Sequence, residues 1–195
     1  MKKIIAVVLL ICLLGTLTAC KNTDKDSIHP YPVLEVEDDR VTIENDKKTF
    51  SYLGVSVSAP KKWTVLETKA DGSSSYYFRD PKLGESCQFT LSITGSKYSE
   101  KRTEAEYLDY LSNMSGYENV KINSFTEEKL NGFNCTKIAF TYSKDKKEYV
   151  QVNYRYIVIG VRMYSCSIVY PAEKKDTYQP VFEEILNSVE FNPNV

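Results

Sequence analysis

Residues 118–170 constrain the fold more than any other part of this chain. Four segments, 118–130, 133–143, 148–159 and 161–170, alternate apolar and polar side chains and are separated by short turn signals. A period of two is strand periodicity, and connections this short allow only antiparallel neighbours. Asn131-Gly132 is the strongest short hairpin signal among them. Centring the next two loops on Asp145 and Gly160 places Phe140 opposite Val150, Ile138 opposite Val152, Tyr154 opposite Cys166 and Val152 opposite Ile168. Every apolar pair then lands on one face, as a buried face demands, since a one-residue slip inverts it. A four-strand antiparallel meander with one apolar side is expected.

The other side of that meander carries Ser124, Thr126, Lys137, Thr141, Gln151, Asn153, Arg155, Ser165 and Ser167. Solvation is the ordinary fate of such a face. The alternatives are coverage by the N-terminal strands or a loop, and an interaction surface made by Lys137, Asn153 and Arg155 with Gln151 beside them.

Around the meander the period switches twice. Thr103-Glu104-Ala105-Glu106 has capping-box spacing, and Tyr107, Leu108, Leu111 and Met114 then share a helical stripe that ends at Gly116. A second helix is expected from about Asp176 to Val189, with Tyr178, Val181, Phe182, Ile185, Leu186 and Val189 inward and Pro180 in its first turn. Short strands precede the first helix at 40–44, 49–57 and 74–79. In 86–94, Cys87, Phe89, Leu91 and Ile93 face one way, and Ser86, Gln88, Thr90 and Ser92 the other.

The first twenty residues are an address rather than a fold. Lys2 and Lys3 precede an apolar run, Ile4 to Leu17, of signal-peptide length and too short to span a bilayer. It ends in Leu17-Thr18-Ala19-Cys20, which resembles the lipobox of bacterial lipoproteins. That resemblance implies cleavage before Cys20, lipidation of its thiol, and a protein held outside the cytoplasm on the cell membrane. Two or more acyl chains are what make such anchoring stable. The expected organisation is therefore a signal peptide over 1–19, the lipidated cysteine and an acidic tether over 20–39, and one domain over 40–195. The tether holds Lys21 and Lys25 against six carboxylates, while residues 40–195 carry 21 basic and 20 acidic groups. A balanced domain of this kind lacks the basic excess of a nucleic-acid binder.

The order of elements resembles the PsbP-like domains. The likeness rests on strands around Phe50-Ser51-Tyr52 and Val55-Ser56-Val57, then Ala59-Pro60-Lys61-Lys62-Trp63, and the aromatic strand Tyr76-Tyr77-Phe78. It continues through the helix after Thr103, the meander, and a closing helix followed by Val189-Glu190-Phe191. What the resemblance implies is an α+β domain, an antiparallel sheet packed with two main helices as an α/β/α sandwich. It also implies a non-enzymatic accessory or binding role, through an envelope protein partner. The alternative is a receptor for a small ligand, glycan or peptide in a tyrosine-lined pocket.

The residues themselves speak against catalysis. The single histidine, His29, lies in the tether, so a cysteine nucleophile in the domain has no histidine base and no histidine-based metal site is expected. The adjacent pairs Glu127-Glu128 and Glu183-Glu184 point apart on either kind of element, so neither is an acid/base dyad. No glycine-rich phosphate loop is present, and no cofactor is expected. Cys87, Cys135 and Cys166 remain in the domain; the register above puts Cys166 on the apolar face and Cys135 on the polar one, and buried free thiols are expected. The fifteen tyrosines are mostly assigned to the core, with Tyr154, Tyr156, Tyr164 and Tyr170 on the apolar face.

Overall fold

The structure is a computed structural model that describes residues 32–70, 72–95 and 101–194. The expected signal peptide, Cys20 and His29 lie outside these residues. The described chain forms twelve strands and two helices, all strand pairs being antiparallel. The α+β class and the antiparallel sheet packed with two main helices expected from the sequence are what is found.

Eight strands make one large sheet: β1 (Leu34–Glu35), β5 (Thr64–Ala70), β6 (Ser73–Arg79), β7 (Gln88–Gly95), β8 (Glu118–Leu130), β9 (Phe133–Lys144), β10 (Lys147–Ile159) and β11 (Arg162–Pro171). Their spatial order is β1-β5-β6-β7-β11-β10-β9-β8. The remaining strands, β2 (Val41–Glu44), β3 (Lys47–Tyr52), β4 (Val55–Pro60) and β12 (Glu190–Phe191), form a second sheet in the order β12-β4-β3-β2. Helix α1 is Glu104–Ser112 and α2 is Lys175–Asn187.

One core lies between the large sheet and the layer of small sheet plus α2, where Phe50, Val57, Phe78, Phe89, Leu91, Cys166 and Phe182 are all fully buried. A second, smaller core lies on the opposite side of the large sheet. There Tyr107 and Leu111 of α1 pack on Ile138, Phe140, Tyr142, Tyr149 and Val169. The large sheet is thus buried on both faces, and the layers are uneven: helix and small sheet on one side, α1 alone on the other.

This explains the main correction to the expected register. Asp145 and Lys146 both take positive φ, 52° and 64°, and close a two-residue turn that pairs Lys144 with Lys147. A three-residue loop centred on Asp145 would have paired them one residue differently. Phe140 consequently faces Gln151 and Ile138 faces Asn153, rather than Val150 and Val152. The slip puts Ile138 and Phe140 on the α1 side and turns Cys135, Lys137 and Thr141 to the other. It costs nothing here because both faces are buried, which removes the one-sided constraint used to choose the register. Between β10 and β11 the expected pairs Tyr154–Cys166 and Val152–Ile168 are present.

Smaller differences have local causes. The expected strand 49–57 is broken at Leu53-Gly54, whose φ values of 46° and 79° make a hairpin between β3 and β4. Residues 34–36, placed in the tether by composition, pair with β5, and the Val36 amide donates to the Val65 carbonyl at 2.9 Å. Strand β5 has no counterpart in the expected set. Pro180 sits in the second turn of α2 rather than the first, where it removes the N–H that would reach the Asp176 carbonyl. The inward stripe of α2 otherwise holds: Phe182, Ile185, Leu186 and Val189 are buried.

Cys87, Cys135 and Cys166 are buried and unpaired, and Cys135 shares the face of Cys166. Burial, with Asp80 nearby, pushes the Cys87 thiol up to about 12; burial likewise holds Cys135 at about 11 and Cys166 at about 12. Thiolate is the reactive form. At pH 8 the folded protein should therefore resist a thiol reagent, and unreduced protein in denaturant should yield three reactive thiols in this domain. Fewer than three would mean a disulfide.

Candidate functional site

The polar side of the meander is not flat. It is the floor of a concave pocket of about 250 Å³, roofed by α1 and the turn after it. The floor comes from alternate residues of three neighbouring strands: Thr90, Ser92 and Thr94 of β7, Gln151, Asn153 and Arg155 of β10, and Met163, Ser165 and Ser167 of β11. Strand periodicity delivers all of them to one face. The roof is Tyr107, Tyr110, Leu111 and Met114, and Tyr117 closes one side.

Local sequence explains how the roof is placed. Thr103 caps α1 reciprocally: the Glu106 amide donates to Thr103 Oγ1 at 3.3 Å, and the Thr103 amide donates to Glu106 Oε2 at 2.8 Å. The helix then drops Tyr107 and Leu111 onto the sheet, both nearly fully buried. Leu108, expected on the same stripe, is half exposed, and Met114 lies beyond the helix end although it still lines the pocket.

A chain of hydrogen bonds runs along the floor. Tyr117 Oη donates to Gln151 Oε1 at 3.4 Å, Gln151 Nε2 donates to Asn153 Oδ1 at 3.0 Å, and Asn153 Nδ2 donates to Tyr107 Oη at 2.7 Å. Arg155 Nη1 donates to the same Tyr107 oxygen at 3.1 Å. Tyr107 Oη thus accepts twice, and its own proton is left to donate elsewhere. The Arg155 guanidinium lies 5.5 Å from the Tyr107 ring centre and 5.6 Å from that of Tyr156. Among the described residues it makes no ion pair with a carboxylate, unlike Arg40 and Arg79.

A β-bulge sets this geometry. Arg155 and Tyr156 together stand against Ser165, between the pairs Tyr154–Cys166 and Ile157–Tyr164. Tyr156 takes φ 64°, a left-handed conformation that is costly for a bulky side chain. The bulge turns Tyr156 out of the apolar face expected for it, and its hydroxyl accepts from the Arg102 amide just before α1 at 3.2 Å. Bulges are a common means of re-aiming side chains beside a site.

Of the four residues expected to form an interaction surface, three meet here: Gln151, Asn153 and Arg155. Lys137 does not. The two-residue turn puts it on the opposite face, 3.5 Å from a Glu128 carboxylate oxygen and 5.5 Å from the Tyr154 ring centre. Tyr107, expected on the inward stripe of the first helix or in a tyrosine-lined cleft, is the member that joins them. Its helical stripe was visible, but which sheet face the stripe would cover was not. Volume alone does not single the pocket out, since a hollow of about 550 Å³ lies beside the Leu53-Gly54 turn and the chain end. Among the described residues, that hollow has Glu190 as its one charged wall residue and no comparable network.

No protein-family model and no curated protein matches the sequence. Among solved structures, the cyanobacterial PsbP protein of Synechocystis sp. PCC 6803 aligns with a TM-score of 0.51 at 11% identity, over 90% of this chain and 98% of its own. A protein from Bacteroides thetaiotaomicron aligns at 0.48 and 16% identity over 76% of this chain, which spans about half (49%) of that longer one. LpqN of Mycobacterium tuberculosis, described as involved in cell envelope biogenesis, aligns at 0.44 and 14% identity over 85% of this chain and 93% of its own. The first of these places the fold as PsbP-like, and none carries an activity with it. No helix among the described residues is long and apolar enough to cross a membrane.

Proposed function

We propose that this protein is a lipid-anchored, extracytoplasmic binding module of the bacterial envelope, held to the membrane through Cys20, whose non-enzymatic work is done by the pocket beneath α1. The observation that carries the reading is the pocket itself. A flat polar sheet face would suit docking to an envelope protein, whereas Gln151, Asn153 and Arg155 converge with Tyr107 in a concavity. Convergent polar groups in a preformed concavity are the usual form of a small-ligand site. The leader supports the membrane location, and the balanced charge of the domain supports a partner other than nucleic acid.

Two measurements on the native protein test the two halves of the proposal. Labelled palmitate should enter the wild type, and Cys20→Ser should lose both the label and membrane retention. Native mass spectrometry of protein extracted from its own membranes should show a small-molecule adduct that Ser165→Trp, which fills the floor, abolishes. A cytosolic, unlabelled wild type would remove the address. The same adduct on both forms would remove the pocket.

A further inference from the structure

Resting on the pocket as a binding site, the chemistry of its walls names a ligand class. Among the described residues, the lining contains one cation, Arg155, and no aspartate or glutamate. That cation has no acidic partner among the described residues, and one of its donors is spent on Tyr107 Oη. A guanidinium offers five N–H donors in a fork that matches a carboxylate, so among the described residues most of its capacity is unused. With one positive charge and no negative one, the walls complement a monoanion. The described walls lack the carboxylate that an amino acid's ammonium would need, and a second cation, Arg102, stands only at the rim, stacked on Tyr110.

The rest of the lining separates carboxylates from one another. The floor is hydroxyl- and amide-rich, with Thr90, Ser92, Ser165, Ser167, Gln151 and Asn153 in a patch. A fatty acid would strand these groups beneath its chain, and buried polar groups left unpaired are costly. A polyhydroxylated ligand satisfies them. Tyr110, 41% exposed at the rim and 4.4 Å from the Arg102 guanidinium carbon, presents a ring against which an apolar sugar face can lie. The cavity is smaller than the roughly 300–1,000 Å³ of drug-sized ligands, so one ring fills it. We infer that the pocket binds the carboxylate and hydroxyls of a single hexuronic acid residue, with Arg155 on the carboxylate and Tyr107 Oη donating to a ring substituent.

The test is calorimetric titration of the folded protein with D-galacturonate and D-glucuronate, their neutral parents D-galactose and D-glucose, and acetate. At least one uronate should bind ten-fold or more tightly than its neutral parent and than acetate. Arg155→Gln, which keeps a donor to Tyr107, should erase that preference, and Arg155→Lys should restore part of it. Equal binding of a uronate and its neutral parent overturns the acidic-sugar assignment even if Arg155→Gln fails to fold, because the ligand rather than the protein was changed. Failure of every sugar also overturns it; persistence of the Ser165→Trp-sensitive adduct then leaves the pocket reading standing. A short oligouronide separates the sources: tighter binding than the monosaccharide marks a polysaccharide end, and equal or weaker binding a free sugar.

Discussion

Arg40→Ala should lower the stability of the domain by about 3–5 kcal/mol, the scale set by breaking a buried ion pair from one side. Glu67 is almost fully buried, with 6% of its side chain exposed, and Arg40 is 17% exposed. The guanidinium holds Glu67 Oε1 at 3.0 Å and Asp38 Oδ2 at 2.6 Å. It also lies 5.3 Å and 5.9 Å from the ring centres of Tyr52 and Tyr76. One side chain therefore joins the segment before β2, the small sheet and β5. Removing it leaves the Glu67 charge buried with Tyr76 and the largely exposed Lys69, at 3.3 Å, for compensation. The double variant Arg40→Leu with Glu67→Leu should recover most of the loss, because a buried pair replaced by apolar groups is close to neutral.

The same cluster gives the protein an acid limb. Burial pushes the Glu67 carboxyl up, but Arg40, Tyr76 and Lys69 beside it outweigh that and leave it below its ordinary value. Hydrogen bonds with Arg40 hold Asp38 at about 2. Both folded-state values are depressed, so both groups contribute stability that is present near neutral pH and lost as pH falls. The loss begins below the ordinary carboxylate range, near 4.5, and runs toward 2. Urea midpoints measured between pH 7 and pH 2.5 should fall steeply in the wild type and more shallowly in Arg40→Ala. Parallel curves would mean the cluster does not set the acid limb.

How much of this was legible beforehand depends on which rule each segment obeys. The capping box at Thr103, the α2 stripe and the four meander strands follow from local spacing, and local spacing is what a single sequence displays. The β9–β10 register does not. A requirement that all apolar residues share one face has no unique answer in a sheet with two buried faces. The turn holds a lysine, Lys146, at a positive φ that nothing in its side chain advertises. The pocket inherits this asymmetry: Gln151, Asn153 and Arg155 were legible as one strand's polar face. Tyr107 and Tyr110 were not, since helix placement over a sheet is a tertiary fact. The β-bulge at Tyr156 was equally hidden, though it aims the arginine.

Phe182→Ala is the other large effect, at about 3–5 kcal/mol, the range for deleting a buried aromatic and leaving its cavity. Phe182 is fully buried in α2, and its ring centre lies 5.5 Å from that of Trp63 in an edge contact and 5.7 Å from that of Tyr170 in a stacked one. These contacts tie the helix to the large sheet and to the segment leading into β5, and each well-placed aromatic pair adds about 0.5–1.5 kcal/mol to area burial. Little can collapse into the gap, because Trp63, Tyr170, Ile185 and Phe89 are themselves buried in the same core. Denaturant unfolding measures the loss directly, and a change below about 1 kcal/mol would mean the core repacks around the missing ring. The variant also separates scaffold from site. Phe182 lies across the large sheet from the pocket, so molecules that remain folded should keep wild-type ligand affinity. Arg155→Gln should show the reverse, with stability retained and affinity lost. If Phe182→Ala weakened binding in proportion to its loss of stability, the two faces of the sheet would be energetically one unit and the pocket would not be a separable site.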